Sequence, residues 1–599
     1  MLRDADREAR SGGVRASHAV RPQTAARVSV GQHSDKGRKP VNQDFYGVSV
    51  PKEPLLTSKG IAVALADGIG SSDVSQIAAE FAVMGFLDDY YCTSDAWSVR
   101  KSVERVLAAT NSWLHSRTRQ SEYRYDKDRG YVCTLSALVI KGATAHVFHV
   151  GDSRVYRLQG GALEQLTDDH RVWVSREQSH LSRAVGFNAQ IEIDYRALQI
   201  DRGDVFVLAT DGVYEHVPAS FIADAIRARG SDLDAAARAI VEHAYERGSD
   251  DNLTVQIVAI DSVAAQDGGH FRRQASELPL PPLLDARTAI DGYRIVRELH
   301  GSHRSHIYLA LDVETGAPVV IKTPSIAMQD DPAYLERFLM EEWVARRINS
   351  AHVLRPCPQT RQRTSLYVAT EFVDGRTLSQ WMIDNPRPDV ETVRGIIEQI
   401  AKGLQAFHRL EMIHQDLRPD NVMIDRTGTV KIIDFGATRV AGIAEMAPPR
   451  ERSDILGTAQ YTAPEYFLGE AGSARSDFFS LGVIAYQMLS GRLPYGAQVA
   501  KSRTAAAQSH LRYDSVLHRD RDIPAWIDGV LRKAVHPDPL KRYEALSEFV
   551  YDLRHPNRAF LARTRPPLFE RHPVLFWKSV SALLATVIVV YLFVRFGLP

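Results

Sequence analysis

Cysteine is scarce in this chain of 599 residues: only Cys92, Cys133 and Cys357 occur, and no two of them form a CxxC pair. This scarcity argues against a disulfide framework or a zinc site and fits a reducing compartment. Net charge is also absent, because 73 basic residues balance 73 acidic ones, so charge gives no reason to expect nucleic-acid binding. Residues 1–25 lack the apolar segment of a secretory signal, and we predict a disordered leader there.

Long hydrophobic runs are absent except at 574–594, which only Lys578 interrupts. Its 21 residues match the ~20 that a helix needs to cross a bilayer, so we expect a transmembrane helix. Arg565 and Arg571 precede the run and only Arg595 follows it, which predicts that the rest of the chain faces the cytoplasm.

The chain is long enough for about three units. Short β-type runs alternate with helical stretches in the first part, and the second part begins strand-rich and becomes helical. Segments rich in Gly, Pro and charge mark the connections. We therefore predict domains at 26–261 and 290–555, a linker at 262–289 and a basic tether at 556–573.

Aspartates of the first domain lie where predicted strands begin or end. Carboxylates that converge repel one another and need a cation to stay ionised. Oxygen ligands favour Mg²⁺ or Mn²⁺, and two such ions can activate a water molecule to attack phosphorus. A single Asp-Gly pair is usually only a turn, but five aspartates in such positions indicate a metal centre. They are Asp44, Asp67, Asp152, Asp211 and Asp251.

The motifs "ADGIG", "GDSRVYRL", "TDDH", "LSRAVG", "ATDGVYE" and "DDNLTV" follow one another over about 235 residues. In this order they resemble the metal-dependent type 2C protein phosphatases. The resemblance implies an α/β fold, a β-sandwich flanked by helices in αββα layers, and two or three bound metal ions. It assigns two ions to Asp67, the Gly68 carbonyl, Asp211 and Asp251, with Asp44 in support and Asp152 at a weaker third ion.

Two departures from that family concern the substrate side of the site. The phosphate-gripping arginine of the family is Lys39 here, with Arg38 beside it, and lysine cannot bind two oxygens in a fork. Gln43 replaces a carboxylate, which could loosen one metal. Only a short segment separates His170 from Leu181, so we expect an open site without a long flap.

The second domain contains a set of residues suited to phosphoryl transfer. Lys322 ends the strand "VVIK", and Glu341 (or its neighbour Glu342) lies in a helical stretch where it could pair with that lysine. The motifs "HQDLRPDN", "IIDFG" and "GTAQYTAPE" follow. Phosphoryl transfer needs a lysine on the phosphates, an aspartate to orient the hydroxyl, and Asn and Asp ligands for Mg²⁺.

These motifs resemble the eukaryotic-like serine/threonine protein kinases, and the resemblance implies a bilobal α+β domain that uses ATP and one or two Mg²⁺ or Mn²⁺ ions. It implies catalytic roles for Asp416, Lys322, Asn421 and Arg418, metal binding by Asn421 and Asp434, and an Arg542–Glu465 ion pair. Nucleotide contacts fall on Lys322, Glu341, Gly301, Ser302, Glu371, Asn421 and Asp434, and autophosphorylation on Thr458 or Ser453.

The loop in "RELHGSHRSHIYLALD" departs from the glycine-rich pattern of kinases. The three glycine positions fall on His300, Ser302 and Ser305, and only Gly301 remains. Glycine allows backbone N–H groups to approach phosphate closely. We interpret the loop as loosened but usable, and a nucleotide-sensing pseudokinase stays open. Gln415 replaces the arginine before the catalytic aspartate, so we hypothesise that activation-loop phosphorylation is not the main switch.

The sequence thus predicts a bifunctional signalling enzyme. A phosphatase for phosphoserine and phosphothreonine is joined to a serine/threonine kinase whose autophosphorylation it can reverse. The expected partners are protein substrates, the chain's own kinase domain and the membrane, and the expected location is the cytoplasmic side of a bacterial inner membrane. Two alternatives are a phosphatase regulated by an ATP-binding pseudokinase and a non-catalytic docking module for phosphoproteins.

Overall fold

The structure is a computed structural model that describes residues 26–173, 179–263, 278–358, 360–445, 459–517, 523–561 and 573–597. The chain divides into two compact units. The first consists of 1–268 with 441–448, and the second of 269–440 with 449–599. The predicted leader 1–25 lies outside the described residues, as do parts of the predicted linker and tether.

Two antiparallel five-stranded sheets form the framework of the first unit. One sheet contains, in spatial order, β1 (Arg27–Asp35), β12 (Leu253–Ser262), β11 (Val205–Ala209), β6 (Arg154–Gln159) and β7 (Ala162–Gln165). The other contains β10 (Asp194–Gln199), β5 (Thr144–Val150), β4 (Leu135–Lys141), β3 (Ile61–Ala66) and β2 (Phe45–Ser49). A separate hairpin pairs β8 (Arg171–Trp173) with β9 (Ser179–Leu181).

Helices cover the outer face of each sheet, which gives the predicted αββα order of layers. Because β3 and β4 have a sheet on one side and helices on the other, all of their residues are buried. The helices are α1 (Leu55–Lys59), α2 (Ser75–Cys92), α3 (Val99–Gln120), α4 (Asp211–Tyr214), α5 (Ala219–Arg229) and α6 (Leu233–Glu246). One core lies under α2 and α3, a second under α5 and α6, and a third between the sheets.

Helix α6 shows how the sequence dictates this packing. The Asp232 side chain accepts a hydrogen bond from the Ala235 N–H at 3.0 Å, a cap of about 1 kcal/mol. Its buried residues recur at helical spacing from Leu233 to Ala244 and face β1. Gly31 permits this close approach, because a Cβ there would lie 2.1 Å from the Leu233 carbonyl carbon.

The second unit begins with an antiparallel sheet and continues as a helical region. The sheet contains β13 (Ala289–Ile290), β14 (Tyr293–Gly301), β15 (Ser305–Asp312), β16 (Pro318–Pro324) and β17 (Val368–Glu371). Two smaller sheets join β18 (Gly375–Thr377), β20 (Val422–Asp425) and β21 (Val430–Ile432), and β19 (Met412–Ile413) with β22 (Arg439–Val440).

The central helix of this region is α9 (Val390–Arg409), whose buried stripe includes Val393, Ile397, Leu404 and Phe407. These residues recur at helical spacing, so one face of the helix is buried. The other helices of the second unit are α7 (Pro332–Arg347), α8 (Leu378–Asp384), α11 (Ala474–Ser490), α12 (Ala505–Ser509), α13 (Ala525–Ala534), α14 (Leu546–Arg554), α15 (Arg558–Leu561) and α16 (Pro573–Phe596). The short helix α10 (Ala441–Ala444) belongs to the first unit.

The expectation of a transmembrane helix at 574–594 is contradicted. Helix α16 covers that stretch, but no helix among the residues described is both long and apolar enough to cross a membrane. Membrane anchoring is likewise unsupported.

Candidate active sites

The five predicted carboxylates of the first unit come together at the ends of its sheets. Asp67 follows β3 directly, Asp152 follows β5, and Asp211 follows β11 as the first residue of α4. Asp44 and Asp251 precede β2 and β12. Burial raises the pKa of Asp67 well above its usual value, and the negative charges of the other four raise it further. The structure thus brings together every carboxylate that the motifs predicted.

Asp44, like Asp152, is a buried member of this group. The hydroxyls of Thr254 and Thr210 donate to its Oδ2 at 2.6 and 3.1 Å, while its buried Oδ1 has no hydrogen-bond partner. Burial raises the pKa of Asp44 to about 6, although the hydrogen bonds oppose that rise. Burial and the nearby Asp152 and Asp251 raise the pKa of Asp211 to about 7. A cation at this group would remove the repulsion and supply Oδ1 with a partner.

These residues fit Mg²⁺ or Mn²⁺, which prefer carboxylate, carbonyl and water oxygens. Among the described residues, no three His, Cys, Asp or Glu side chains form a ready metal cage. Backbone carbonyls and water would therefore complete the coordination, as is usual for Mg²⁺. At Gly68 the backbone packs closely against the segment before Asp44, because a Cβ there would lie 2.9 Å from the Gln43 carbonyl oxygen and the Gly68 N–H donates to that oxygen at 3.2 Å.

The two predicted phosphate-binding cations have different surroundings. Lys39 Nζ lies 3.2 Å from Asp251 Oδ1, so its positive charge lies beside the cluster of five aspartates. The Arg38 guanidinium instead donates to the carbonyls of Gly248 and Tyr245, at 3.0 and 3.4 Å, and lies against the Tyr245 ring. Of the two, Lys39 is therefore placed to meet a phosphate beside the metals.

Gln43 and Asn252 shape the loop that carries Lys39. Gln43 Nε2 donates a hydrogen bond to the Ser72 carbonyl at 2.7 Å. The Gln43 amide, which stands where the family has a carboxylate, therefore binds a backbone carbonyl. Asn252 accepts from the Gln43 N–H at 2.8 Å and donates to the carbonyls of Lys36 and Val41, both at 3.0 Å. The motif "DDNLTV" contains Asn252, but sequence reasoning did not assign it this role.

Arg171 is the second residue that sequence reasoning missed. It begins β8, and its guanidinium donates to Asp152, Asp211 and Glu215 at 2.5, 2.7 and 2.9 Å. The adjacent "TDDH" motif was the only available signal. The hairpin of β8 and β9 replaces a longer flap, in agreement with the short spacing in the sequence.

The nucleotide lysine of the second unit forms the predicted ion pair. Lys322, in β16, lies with Nζ 2.6 Å from Glu341 Oε2 of α7 and 3.9 Å from Asp434 Oδ1. Burial opposes the charge on Lys322, but Asp434 and Glu341 hold its pKa above the usual value. Lys322 in turn holds the pKa of Asp434 below the usual value, so this carboxylate is ionised and suited to Mg²⁺. The fallback Glu342 pairs instead with Arg346 and Arg363.

The catalytic loop residues are also assembled. Asn421 Nδ2 donates to the Asp416 carbonyl at 2.8 Å and to its Oδ2 at 3.1 Å. Arg418 Nε lies 3.4 Å from Asn421 Oδ1, next to both residues. Burial raises the pKa of Asp416, and the charges of His414 and Arg418 oppose that rise. A half-shielded carboxylate in this position can orient a substrate hydroxyl and accept its proton.

The shape of this loop depends on buried Asp477. Its carboxylate accepts from the N–H groups of His414 and Gln415, at 2.9 and 3.0 Å, and contacts His408 Nε2 at 2.8 Å. These contacts hold Gln415 at φ 69°, a conformation that is strained for a residue with a side chain. Gln415 Nε2 donates to the Tyr466 hydroxyl at 3.3 Å.

The predicted Arg542–Glu465 ion pair is confirmed and buried. Arg542 donates to both carboxylate oxygens of Glu465 at 2.8 and 2.7 Å, and the side chains are 0% and 3% exposed. The remaining Arg542 N–H groups donate to the carbonyls of His536, Arg475 and Pro537. All five guanidinium donors are therefore satisfied.

The loop that lacks glycines is a tight turn between β14 and β15. Ser302 Oγ accepts from the N–H groups of Arg304 and Ser305 at 3.3 and 3.1 Å, and it lies 3.1 Å from the Ser305 carbonyl. Gly301 leaves room for Glu298, because a Cβ there would lie 2.4 Å from Glu298 Oε1. The Ser302 hydroxyl thus occupies amides that a glycine-rich loop would offer to phosphate.

The other predicted kinase residues are Glu371, Thr458 and Ser453. Glu371 ends β17 and pairs with Lys431 at 2.6 Å, while its Oε1 accepts from the Arg355 N–H at 2.9 Å. Its carboxylate is thereby held by protein groups. Thr458 and Ser453 lie outside the described residues.

Two family models match separate parts of the chain. Residues 32–253 match protein phosphatase 2C, and residues 293–550 match the protein kinase domain. The two matched ranges agree with the two groups of motifs found in the sequence. The chain therefore contains a domain of each kind.

Relatives with known names share one part of the chain or the other. The chain is 26% identical over 264 residues to serine/threonine-protein kinase PrkC of Bacillus subtilis, covering 44% of this chain and 40% of PrkC. It is 31% identical over 270 residues to PknB of Mycobacterium leprae, covering 44% and 42%. The chain thus spans less than half the length of these two relatives. A solved S. agalactiae serine/threonine phosphatase is 24% identical, with 39% of this chain and 100% of that chain covered at a TM-score of 0.35.

Proposed function

We propose that this chain, in which a protein phosphatase 2C domain precedes a protein kinase domain, both adds phosphate to protein serine and threonine and removes it. The kinase would transfer the γ-phosphoryl group of ATP, and the phosphatase would hydrolyse phosphoserine and phosphothreonine. The observation that carries the proposal is the presence of both charge sets, the five clustered aspartates and the Lys322–Glu341 pair beside Asp434.

In the phosphatase, Asp67, Asp211, Asp251 and the Gly68 carbonyl would hold Mg²⁺ or Mn²⁺, with Asp44 in support. Bound metal would supply a water of lowered pKa and neutralise charge on the phosphoryl group. Lys39, next to Asp251, would bind the phosphate as a point charge, with weaker orientation than an arginine fork. The short β8–β9 hairpin leaves little protein to enclose the substrate, which suits protein substrates of varied sequence.

In the kinase, Lys322 would bind the α- and β-phosphates of ATP, held in position by Glu341. Asp434 and Asn421 would hold one or two Mg²⁺ ions, and Asp416 would orient the substrate hydroxyl and accept its proton. Arg418, beside Asn421, adds positive charge where the transferred group gains negative charge.

Because both domains belong to one chain, phosphorylated residues of the kinase domain would meet the phosphatase at a high effective concentration. The simplest consequence is that the phosphatase erases the kinase's autophosphorylation. Substrates shared by the two domains would cycle between the two states. The identity of those substrates is a matter for experiment.

Radiolabelled ATP tests both activities together. The full chain would be incubated with Mg²⁺ and Mn²⁺ as wild type, as Asp211→Ala and as Asp211→Ala combined with Asp416→Ala. Asp73→Ala, which removes a 76% exposed carboxylate of the same unit, is the matched control. We expect label to accumulate on Asp211→Ala alone, because only that variant keeps the kinase and loses the phosphatase.

One observation favours a second candidate, a phosphatase regulated by a kinase domain that binds ATP without transferring phosphate. Ser302 already occupies two amides of the phosphate loop. If ATP bound to every variant and none became labelled, this second function would replace the first for the kinase domain.

A further inference from the structure

The guanidinium of Arg171 lies inside the carboxylate group of the first unit. Nε donates to Asp152 Oδ2 at 2.5 Å, one terminal nitrogen donates to Asp211 Oδ2 at 2.7 Å, and the other donates to Glu215 Oε1 at 2.9 Å. The Arg171 side chain is 18% exposed and that of Asp152 is 7% exposed. The loop after β5, which carries Asp152, and helix α4, which begins at Asp211 and is capped by Glu215, therefore share one fixed positive charge.

His170, the residue before Arg171, helps to hold Arg171 in this position. The His170 N–H donates to the Gly151 carbonyl at 2.8 Å, and the Gly151 N–H donates to His170 Nδ1 at 3.0 Å. Its Nε2 contacts Asp194 Oδ2 at 3.0 Å. Because Gly151 directly precedes Asp152, these bonds fix the distance between the start of β8 and the aspartate that Arg171 binds.

Other cationic side chains nearby bind other carboxylates. Arg154 donates to both oxygens of Asp169, at 2.8 and 2.7 Å, and lies 3.8 Å from the centre of the Tyr214 ring. Lys39 pairs with Asp251. Among the residues described, Arg171 is therefore the cation that balances the negative charges of Asp152 and Asp211. Burial raises the pKa of both carboxyls, and Arg171 opposes that rise.

A divalent ion placed between Asp152 and Asp211 would compete with Arg171 for the oxygens that it binds, Asp152 Oδ2 and Asp211 Oδ2. It could take them only by displacing a guanidinium with three charge-assisted hydrogen bonds, and the displaced charge would remain next to it. Arginine also suits this role better than lysine, because it is weakly hydrated and presents five donors in a rigid plane.

We propose that Arg171 is a built-in cation that occupies the position between Asp152 and Asp211, so that no further divalent ion binds there. This inference deepens the proposed phosphatase function. Asp44, Asp67, Asp211 and Asp251 keep the two ions needed for hydrolysis, and Asp152 serves Arg171 instead of a third ion. Arg171 is then a positioning residue that sets the number of metals.

Mn²⁺ titration of the full chain without nucleotide tests this inference by calorimetry and by electron paramagnetic resonance. The variants are Arg171→Gln, which removes the charge, and Arg171→Lys, which keeps it. Arg183→Gln is the matched control, because Arg183 contacts Asp194, Glu192 and His170 Nε2 rather than the clustered aspartates, and so tests whether disturbing the neighbours of His170 is enough to change the count. Mn²⁺ sites in the kinase domain are the same in all variants, so they do not affect the difference in the number of bound ions.

We expect Arg171→Gln to bind one Mn²⁺ per chain more than wild type, and Arg171→Lys and Arg183→Gln to bind the wild-type number. Equal numbers in Arg171→Gln and wild type would overturn the inference. If Arg171→Gln fails to fold by circular dichroism, anomalous scattering from Mn²⁺-soaked wild-type crystals decides the matter. A Mn²⁺ peak between Asp152 and Asp211 would overturn the inference, whereas peaks only elsewhere in the group, with Arg171 in place, would support it.

The metal count does not depend on hydrolysis, so the two proposals fail separately. Absence of phosphatase activity in every variant, with the expected difference in metal count, would remove only the proposed function. Normal activity with equal counts would remove only the role of Arg171.

Discussion

Replacing Asp44 with asparagine should stabilise the metal-free chain and remove most of its stabilisation by Mn²⁺. Asparagine keeps an oxygen for the hydroxyls of Thr254 and Thr210. It places an amide nitrogen where Oδ1 has no partner, next to the negative charge of Asp67. The substitution therefore removes a buried charge at little cost in packing.

The size of this effect follows from the pKa of Asp44, which burial raises from 3.8 to about 6. At 1.36 kcal/mol per pKa unit, the charged carboxylate costs the metal-free fold about 3 kcal/mol. Because the folded-state pKa lies above the unfolded value, the full cost applies above pH 6. It declines as pH falls through 6 and vanishes below 3.8. The free energy of unfolding of metal-free wild type should thus rise towards acid pH, and this part of the rise should be absent in the variant.

Urea unfolding in EDTA, followed by circular dichroism between pH 4 and pH 8, measures this difference. The relevant transition of the full chain is the one that Mn²⁺ shifts in wild type without nucleotide. Asp73→Asn is the control, because it removes an exposed carboxylate of the same unit. Excess Mn²⁺ should reverse the order, stabilising wild type more than Asp44→Asn.

The reasoning would be refuted if Asp44→Asn unfolded at lower urea than wild type in EDTA at pH 8. It would also fail if the gap between the two proteins did not close towards pH 4. Equal stabilisation of both proteins by Mn²⁺ would show that Asp44 does not support the metals.

Three further outcomes are expected. Ser302→Gly should free two backbone amides for phosphate and so lower the Kd for ATP roughly 3- to 10-fold, as measured by calorimetry. An unchanged Kd would show that these amides do not contact phosphate. Arg542→Met should leave Glu465 buried without its partner, at a cost of about 3–5 kcal/mol, and lower the Tm of the ATP-sensitive transition by on the order of 10 °C. A decrease in Tm no larger than that caused by replacing an exposed arginine with methionine would contradict this expectation. Thr458→Val should leave transfer to an added protein substrate unchanged, because neutral Gln415 makes no strong pair with a phosphate; loss of that transfer would refute the hypothesis.

Much of both sites could be predicted because chemistry constrains short motifs. The aspartates of the first unit follow or precede strands, and strand ends that meet at one edge of a fold bring them together. Lys322 and Glu341, like Arg542 and Glu465, are far apart in sequence, but their pairing follows from the order of the kinase motifs. The two ion pairs were therefore expected before any distance was known.

The rest depends on how unrelated segments approach one another. The "TDDH" motif directly precedes Arg171, but it does not indicate that β8 brings this residue to Asp152 and Asp211. The role of Asn252 depends on the loop that begins at Lys36, more than 200 residues away. The sequence indicated a loosened loop at Ser302, and the structure instead shows its hydroxyl tightening the turn. The transmembrane expectation rested on the length of the apolar run at 574–594 alone, and it failed because no helix among the described residues is both long and apolar enough to cross a membrane.

The contacts of Gln415 have a consequence for how this kinase domain could evolve. Asp477 imposes the φ of 69° through backbone N–H groups, so the loop keeps its shape whichever side chain stands at 415. Every glutamine codon is a single base away from an arginine codon. One point mutation could therefore install a guanidinium before Asp416, where it could pair with a phosphorylated loop, without rebuilding the scaffold. The same scaffold would thus accept either residue at position 415.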